Sequence, residues 1–335
     1  MTKPVSVHFS SWRFAGSVIV GAYAAGMLAW SVIGALCGDR WPWLFALNTF
    51  APFLFVPLPF ALLSACWLRR REVWVSVGVL IGLWGGRYGE LWLPRIPAVQ
   101  ALPEMSLKVM TYNALFLNDN PEQVRQVILT GDPDLVAFQE LNPAVAAMTQ
   151  QELGIRYPYQ VLDPRTGTQG MGVISKYPLA RVDSALGSDW VFTPQVLSVD
   201  VDGREVLLLN IHLLPTTSLA FAEVADSVER RVLQTQAICE FVEQHPGALL
   251  LVGDFNTTPQ SREYALLSRS LHDTWREAGW GLGHTWPVTQ GSLRPRLVRI
   301  DYVWHSKAFQ ALHADLGLAD GVSDHRPLLA TLAWR

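Results

Sequence analysis

The sequence predicts a protein of two parts: an N-terminal α-helical membrane segment, and an α/β domain in which sheets are buried between helix layers. The first part follows from the apolar residues concentrated in 1–93. The second follows from alternating strand-like and helical patterns over 107–335. Charged residues make up only 16% of the chain, against about a quarter in ordinary soluble domains. The first part therefore has the composition of a segment that lies in lipid, and the second has the pattern of a domain that folds in water.

Three apolar runs in the first part predict membrane-spanning helices. The runs 14–37 and 43–68 carry no charge, and both exceed the roughly 20 residues that a spanning helix needs. The run 73–93 contains Arg87 and Glu90, which lie three apart on one helical face and could pair. We predict a third span here, with a re-entrant or interfacial helix as the alternative. The second run contains three prolines, which predict a kink: Pro52, Pro57 and Pro59.

Basic residues predict the orientation of these helices. Lys3 and Arg13 precede the first run, and 69-RRRE-72 separates the second run from the third. Because Lys and Arg in short loops stay on the cytoplasmic side, the N-terminus is predicted to lie inside. Three spans then place the rest of the chain outside the cytoplasm, whereas two spans would place it inside. The expected location is the bacterial cytoplasmic (inner) membrane, with the catalytic domain extracytoplasmic.

The charge of the second part limits its partners. The first 93 residues hold seven basic and three acidic side chains, which leaves 19 basic and 26 acidic in the rest, a net charge of about −7. General binders of nucleic acid are usually basic, so nucleic acid is a less favoured partner. The segment 94–105 is rich in proline and is predicted to be a linker. The domain that follows is predicted to span 106–335.

Regular elements are predicted throughout this domain. Eight apolar runs have the length and composition of strands: 107–113, 134–140, 171–178, 195–201, 205–213, 248–256, 298–304 and 326–334. Helical patterns occupy four intervals: 121–130, 142–152, 220–245 and 261–269. Near-continuous apolar strands with helices between them indicate sheets covered on both faces. About 230 residues suffice for two packed sheets with helices outside them.

Polar side chains follow or precede six of these strands. The residues concerned are Asn113, Glu140, Asn210 with His212, Asp254 with Asn256, Asp301, and those of 323-SDHRP-327. Residues two apart on a strand point to the same side, so each pair can face one way. A single case is ordinary turn chemistry, but six predict a shared rim at one end of the sheets. A cluster of carboxylates needs a counter-charge, and a hard divalent cation with oxygen ligands supplies it.

The order of these motifs adds a resemblance. The series TYN, QE, NIH, GDFN, RID and SDH resembles the endonuclease/exonuclease/phosphatase superfamily over roughly 106–335. The resemblance implies a four-layer α/β sandwich of two mainly antiparallel sheets. It also implies cleavage of phosphoester bonds with Mg²⁺, for which Mn²⁺ is an expected substitute. The layout of three helices before a catalytic domain resembles bacterial membrane members of the superfamily.

The resemblance also assigns roles to single residues. Glu140 corresponds to the principal Mg²⁺ ligand, with Asn113 and Asp324 near the ion or bridged to it by water. His325 corresponds to the general base, oriented by Asp301. Whether this histidine activates water or mainly grips the phosphate is left open.

Three further residues complete the implied site. Asp254 is expected to position or polarise the attacking water. Asn256 is expected to donate hydrogen bonds to a phosphate oxygen, and His212 to assist a phosphate oxygen or the leaving group. For Asn210, a structural hydrogen bond and a role in the site are equally open. Four tryptophans are expected to pack at the rim rather than to form a lid: Trp190, Trp275, Trp280 and Trp286.

Together these observations predict a membrane-anchored, metal-dependent hydrolase. The expected substrate is a phosphodiester or pyrophosphate of a lipid-linked molecule, because a short tether raises the effective concentration of a membrane substrate. A surface-anchored endonuclease or exonuclease is the first alternative, and an inactive binding scaffold is the second. The expected partners are the lipid bilayer and the substrate, and no protein partner is predicted.

Overall fold

The computed structural model describes residues 8–93, 106–183, 186–187, 190–217, 220–287 and 296–335. The chain divides into two compact units, Met1–Trp92 and Leu93–Arg335, and each is described by itself below. The predicted linker 94–105 lies outside the described residues.

The first unit is helical. Its α-helices are α1 (His8–Cys37), α2 (Pro42–Thr49), α3 (Leu58–Leu68) and α4 (Arg71–Tyr88), and Ala51–Phe55 and Gly89–Trp92 form short 3₁₀ helices. The predicted second span is therefore broken into three pieces rather than kinked. Pro52 and Pro59 lie in the first turn of the pieces that contain them, where a missing N–H breaks no helical hydrogen bond.

Two stretches in the described residues are long and apolar enough to cross a membrane, Trp12–Cys37 and Ala51–Leu68. The third predicted span differs from them. Helix α4 has 18 residues, with Arg71 and Glu72 in its first turn and Arg87 in its last. By length and composition the structure thus offers two candidate spans where three were predicted, because charges enter both ends of α4.

The described residues of the second unit form two six-stranded sheets. Its strands are β1 (Ser106–Asn113), β2 (Leu135–Gln139), β3 (Tyr159–Asp163), β4 (Met171–Ser175), β5 (Leu179–Arg181), β6 (Gln195–Val201), β7 (Arg204–His212), β8 (Leu249–Asp254), β9 (His272–Asp273), β10 (Asp301–His305), β11 (Phe309–Leu316) and β12 (Leu328–Trp334). The strand order is β11-β12-β1-β2-β4-β3 in one sheet and β5-β6-β7-β8-β10-β9 in the other. Each sheet has one parallel pair, β1–β2 and β7–β8, and its other pairs are antiparallel.

Helices cover the outer faces of both sheets. They are α5 (Pro121–Gly131), α6 (Pro143–Glu152), α7 (Phe221–Gln244), α8 (Arg262–Leu267) and α9 (Thr274–Ala278). Val124 of α5 and Val145 of α6 share an apolar core with Phe138 of the first sheet. Ile238 of α7 shares a second core with Leu251 of the other sheet. The predicted four-layer α/β sandwich is confirmed.

Four strands, β3, β5, β9 and β11, and the short helix α9 were not predicted. Strands β5 and β9 have only three and two residues, too few to give a pattern. The edge strand β11 is interrupted by Gln310, His313 and Asp315, of which His313 and Asp315 are exposed, so it contains no long apolar run. Strand β3 likewise begins with an exposed residue and is only partly buried. Edge strands carry a weaker signal because they bury less surface.

A buried polar network joins the facing sheets. The side chain of Gln139 donates to Asn210 Oδ1 at 2.7 Å. The amide nitrogen of Asn210 donates to the Phe138 carbonyl at 3.0 Å and to Gln195 Oε1 at 3.0 Å. Asn210 is fully buried, so these bonds satisfy a group that would otherwise be costly to bury. Of the two roles left open for Asn210, the structure shows the structural one.

This network gives a stability prediction. Replacing Asn210 with leucine should lower the free energy of unfolding by about 3 kcal/mol, because Gln139 loses its 2.7 Å acceptor and Gln195 Oε1 loses its donor in the buried interface between the sheets. Urea titration followed by tryptophan fluorescence measures the change. Ser198 lies on β6 and donates to Glu205 at the surface at 2.8 Å. Its replacement by alanine is the control, with an expected change below about 0.5 kcal/mol. Equal midpoints for the two variants would contradict the prediction.

Candidate active site

One edge of the sandwich collects the polar strand ends. Strands β1, β2, β7 and β8 finish at this edge, which places Asn113, His212 and Asp254 there. Glu140 follows β2 directly. Asp301 begins β10 and lies opposite Asp254 in the antiparallel register. The loop before β12 adds the SDH motif, residues 323–325, to these polar groups. Both sheets therefore contribute to a single site.

His325 lies at the centre of this site between two carboxylates. Its Nδ1 lies 2.9 Å from Asp301 Oδ2, where the ring nitrogen donates and the carboxylate accepts. Its Nε2 lies 3.7 Å from Asp254 Oδ2. Ligand atoms of Asp254, Asp301 and His325 all fall within 4.8 Å of one another, and all three residues are buried. Asp301, which was predicted to orient the imidazole, is therefore adjacent to His325, which was predicted to act as the general base.

Burial and charge shift the proton affinities of this group. Burial raises the pKa of Asp254 to about 7, with His325 opposing the rise and Asp301 adding to it. Burial alone would lower the pKa of His325, but the carboxylates of Asp301 and Asp254 raise it to about 10. Near neutral pH, His325 is therefore an imidazolium and Asp254 is poised between its two forms.

A second group surrounds Glu140. The side-chain nitrogen of Asn113 donates to Glu140 Oε1 at 3.2 Å and to Asp254 Oδ2 at 3.0 Å. The backbone N–H of Phe116 donates to Glu140 Oε2 at 3.1 Å. Burial raises the pKa of Glu140, although the hydrogen bonds from Phe116 and Asn113 oppose this. Asn113 thus links the first sheet to the second through two carboxylates.

His212 and Asn256 occupy the other side of Asp254. The Nε2 of His212 lies 3.6 Å from Asp254 Oδ2, and the ring of Phe192 stacks on it at 4.2 Å. Burial lowers the pKa of His212 to about 3, so this imidazole is neutral near pH 7. Asn256 donates its backbone N–H to Asp254 Oδ1 at 2.9 Å and its side-chain amide to the Leu213 carbonyl at 2.9 Å. The side chain of Asn256 is therefore occupied by a backbone acceptor.

Asp324 is held by a residue to which no site role was assigned. The indole N–H of Trp286 donates to Asp324 Oδ2 at 3.0 Å, so Trp286 does more than pack at the rim. Ser323 accepts from the backbone N–H of His325 at 3.0 Å and donates to the Asn113 carbonyl at 2.7 Å. The SDH motif contains Ser323, but its bonds depend on tertiary contacts that the motif does not reveal.

Thr285 is a further positioning residue that the sequence did not indicate. Its hydroxyl oxygen accepts from the backbone N–H of Asp301 at 3.4 Å. Its carbonyl accepts from the backbone N–H of Arg326 at 2.9 Å. Thr285 therefore contacts the strand that carries Asp301 and the loop that carries His325, and fixes the spacing of that pair.

The backbone near the site adopts uncommon conformations. Glu140 has φ of 53° and Asn256 has φ of 49°, both in the left-handed region that side chains usually avoid. Gly253 has φ of 146°, and a Cβ at this position would lie 1.9 Å from the Ile211 carbonyl oxygen. Strand β8 can therefore approach β7 beside Asp254 only because residue 253 is glycine.

Gly253 gives a second stability prediction. Replacement of Gly253 by alanine should lower the free energy of unfolding by about 3 kcal/mol or more, because backbone atoms must separate to admit the methyl group. Gly203, with φ of 83° and no atom within 4 Å of the added Cβ, is the matched control, with an expected loss of about 1 kcal/mol. Thermal unfolding monitored by circular dichroism measures both variants. Similar losses would show that the close approach is unimportant.

The residues present fit a divalent cation. Glu140, Asp254 and Asp301 bring three carboxylates to one edge, where Asp254 and Asp301 are buried and Glu140 is half-buried. Burial raises the pKa of Glu140 and of Asp254. Asp301 Oδ1 is buried with no hydrogen-bond partner in the described residues. Excess buried negative charge and an unused carboxylate oxygen suit an oxygen-seeking cation. Among the histidine, cysteine and carboxylate side chains of the described residues, Asp254, Asp301 and His325 bring potential ligand atoms within 4.8 Å of one another. The ligand set Glu140, Asn113 and Asp324 stays a prediction, in which Asn113 lies 3.2 Å from Glu140.

Solved structures share the fold of this unit. An endonuclease/exonuclease/phosphatase from Beutenbergia cavernae DSM 12333 superposes with a TM-score of 0.51 at 23% identity, covering 69% of this chain and 72% of that one. Truncated Caenorhabditis elegans TDP2 gives 0.54 at 19% identity, covering 68% and 97%. The 3′ phosphatase NExo from Neisseria, bound to a product DNA hairpin, gives 0.55 at 20% identity, covering 68% and 100%. At these identities the likeness concerns the fold alone.

Sequence comparison identifies the family. No curated protein matches the chain. The model of the endonuclease/exonuclease/phosphatase family matches residues 110–325, which is more than half of the chain and includes every predicted site residue. The chain therefore belongs to the endonuclease/exonuclease/phosphatase family, whose members are hydrolases that act on phosphoester bonds.

Proposed function

We propose that this protein is a membrane-anchored, Mg²⁺-dependent phosphoesterase that cleaves a phosphodiester or pyrophosphate of a lipid-linked substrate. The convergence of Asp254, Asp301 and His325 within 4.8 Å supports the chemistry. The apolar stretches Trp12–Cys37 and Ala51–Leu68 support the anchor. An enzyme held at a bilayer meets lipid substrates at a high effective concentration.

The chain's own residues divide the reaction between them. Asp254, with a pKa raised to about 7, accepts the proton of the attacking water. His325, whose pKa is raised by Asp301 and Asp254, binds a phosphate oxygen as an imidazolium, which favours the second of the two roles left open for it. Neutral His212 donates a hydrogen bond to a phosphate oxygen or to the leaving group. Catalysis of this kind depends on fixed charges more than on bonds to the protein.

Glu140, with Asn113 and Asp324 nearby, would hold the cation. When bound, Mg²⁺ neutralises the charge that develops on the phosphate oxygens. Glu140 has one oxygen bonded to a backbone N–H and the other to Asn113, so its orientation is already fixed. Asn256 is proposed to reach the phosphate through its amide once its bond to the Leu213 carbonyl is exchanged.

Metal dependence gives a third prediction. Chelation with EDTA should abolish activity, and Mg²⁺ or Mn²⁺ should restore it. Replacing Glu140 with glutamine should raise the Mg²⁺ concentration for half-maximal activity at least about tenfold, and should reduce the rise in melting temperature that Mg²⁺ produces. Glu122, exposed on α5 and paired with Arg125 at 2.6 Å, is the control when replaced by glutamine. An unchanged Mg²⁺ requirement in E140Q would remove Glu140 from the metal site.

A nuclease is the second candidate function. Of the structural relatives described above, NExo is a 3′ phosphatase bound to a DNA hairpin. Zebrafish TDP2, which matches with a TM-score of 0.54 at 17% identity, is complexed with single-strand DNA product. Against this candidate, residues 94–335 carry a net charge of about −7, which repels a polyanion. An inactive scaffold would have no need of the paired acids and histidine.

One assay separates these candidates. The purified full-length protein is offered Mg²⁺ with plasmid DNA, sphingomyelin vesicles, or vesicles that contain a polyprenyl pyrophosphate. Release of phosphate or of a phosphorylated headgroup from either lipid is the expected result. Efficient nicking of plasmid with both lipids inert would replace the proposed substrate by nucleic acid. Inertness toward all three would favour the scaffold.

The side of the membrane depends on α4. Its charged residues lie at its two ends, and the 14 residues 73–86 between them carry no charge. With the N-terminus inside, the proposed extracytoplasmic catalytic unit requires that α4 also crosses the bilayer. Protease accessibility of residue 335 in intact spheroplasts tests this. Digestion from outside supports the third crossing, and protection places the unit in the cytoplasm with two crossings.

A further inference from the structure

Exposed apolar side chains lie both at the active-site edge of the catalytic unit and away from it. Its large exposed hydrophobic residues in the described part are Leu93, Leu117, Ile155, Tyr159, Val191, Phe221, Leu233, Trp280 and Leu318. Single exposed apolar residues are ordinary on a protein surface. Their position relative to the active site is therefore the informative property.

Four of these residues lie at the edge that holds the active site. Leu117 follows β1 and Val191 precedes β6. Phe221 begins α7, which follows the loop after β7, and Leu318 lies between β11 and β12. These four residues, which come from four separate segments, are called the apolar rim. Ile155 and Tyr159 lie at the opposite edge, because β3 starts there and ends near the site.

Leu117 is presented by a rigid turn beside Glu140. It is 70% exposed, yet its two neighbours are fixed by hydrogen bonds. The backbone N–H of Phe116 donates to Glu140 at 3.1 Å. The buried amide of Asn118 donates to the carbonyls of Ala114 and Gly321, both at 2.9 Å. An apolar side chain held in water by fixed neighbours loses little further entropy on binding.

Leu318 is presented in a similar way by a neighbouring loop, which the Asn118–Gly321 hydrogen bond joins to the turn that carries Leu117. It is 83% exposed. The Arg326 guanidinium donates to the Leu318 carbonyl at 2.9 Å, and the Gly317 N–H donates to the Pro327 carbonyl at 2.8 Å. The same loop carries Asp324 and His325. Two adjacent segments therefore each project a leucine, and each segment also carries or holds a site residue.

We propose that the apolar rim inserts into the lipid surface that contains the substrate, so that the phosphate is cleaved at the level of the lipid headgroups. This inference rests on the proposed function and adds the surface that engages the substrate's membrane. A net charge of about −7 in residues 94–335 opposes attraction to anionic lipid, so adhesion must come from apolar contact. Apolar side chains that enter the headgroup boundary reach about 5–10 Å deep, which brings the adjacent site to the phosphates.

Probes at single positions test insertion directly. The full-length protein, with Cys37, Cys66 and Cys239 replaced by serine, receives L117C, L318C or I155C and an environment-sensitive fluorophore at the new cysteine. It is reconstituted in phosphatidylethanolamine–phosphatidylglycerol vesicles. We expect blue-shifted emission and quenching by brominated lipid at 117 and 318. Ile155, 100% exposed at the opposite edge, is the matched control and should show neither. Aqueous emission at all three positions would overturn the proposal.

A second measurement uses substitutions that need no label. The pair L117Q and L318Q should lower the ratio of activity on vesicle-borne polyprenyl pyrophosphate to activity on soluble bis(4-nitrophenyl) phosphate about tenfold. The pair I155Q and L233Q should leave this ratio unchanged. An unchanged ratio in both pairs would contradict the lipid contact.

The two measurements separate this inference from the proposed function. If the wild type cleaves no lipid but the probes at 117 and 318 are buried in the bilayer, the rim is correct and the substrate is wrong. If lipid is cleaved while both probes stay in water, the substrate is correct and the rim is wrong. Quenching by an added protein or by DNA, without any by brominated lipid, would assign the rim to that partner and overturn the lipid surface.

Discussion

Replacing His325 with alanine should lower kcat by about 10²–10⁴, the range expected for a positioned acid or base. The imidazole bridges the site: its Nδ1 lies 2.9 Å from Asp301 and its Nε2 lies 3.7 Å from Asp254. The substitution removes a cation from between two buried carboxylates, so charge on the phosphate oxygens loses its partner. Initial rates on the substrate found in the lipid and DNA assay measure the effect.

His313 provides the matched control for this prediction. It is an exposed histidine on the edge strand β11, and its replacement by alanine should leave kcat within twofold. If H325A retained more than a third of the wild-type kcat, the assigned role of His325 would be untenable. Circular dichroism of H325A checks that the loss of rate is not a loss of fold.

Replacing Asp254 with asparagine should also lower kcat by about 10²–10⁴, because an amide cannot accept a proton from water. In the wild type the rate should fall toward acidic pH, since burial raises the pKa of Asp254 and protonation of this carboxylate removes the base. Asparagine has no such transition, so the residual activity of D254N should lose this acidic limb. The pH profiles of kcat for the two proteins supply the comparison.

Stability distinguishes a catalytic role for Asp254 from a structural one. A carboxyl whose folded pKa is raised stabilises the fold at low pH and loses that contribution as the pH rises through the folded pKa. At pH 7 and without metal, the ionised carboxylate therefore lowers the free energy of unfolding, whereas asparagine does not. The melting temperature of metal-free D254N should equal or exceed that of the wild type. A drop of more than about 5 °C with proportional loss of activity would indicate a structural residue.

Much of the fold could be predicted because its buried strands are continuous apolar runs. Strands such as β8, in which every residue is buried, were visible without any partner. The edge strand β11 was not visible, because its exposed positions are polar and its pairing with β12 depends on the tertiary fold. The prolines of the second apolar run predicted a kink. That the run breaks into separate helices, with Pro52 and Pro59 in the first turn of two of them, became clear only from the structure.

The candidate site shows the same division. Asn113, Asp254 and Asp301 were predicted because each ends or begins an apolar strand, and the structure brings them together at one edge. Thr285 and Trp286 were not assigned to the site, because they act through hydrogen bonds between segments far apart in sequence. Strand ends thus reveal which residues meet, whereas the residues that hold them in place require coordinates.

The site is divided between the sheets: Asn113 belongs to one and Asp254 to the other, and a 3.0 Å hydrogen bond joins these two side chains. His325 and Asp301 straddle the same division. A slight swelling of the interior, whether from heat or from a distant core substitution, would pull proton donor and acceptor apart before anything unfolds. Turnover in this enzyme should therefore be sensitive to the packing between the two sheets. It should decline at temperatures at which the circular dichroism signal of the fold is still intact.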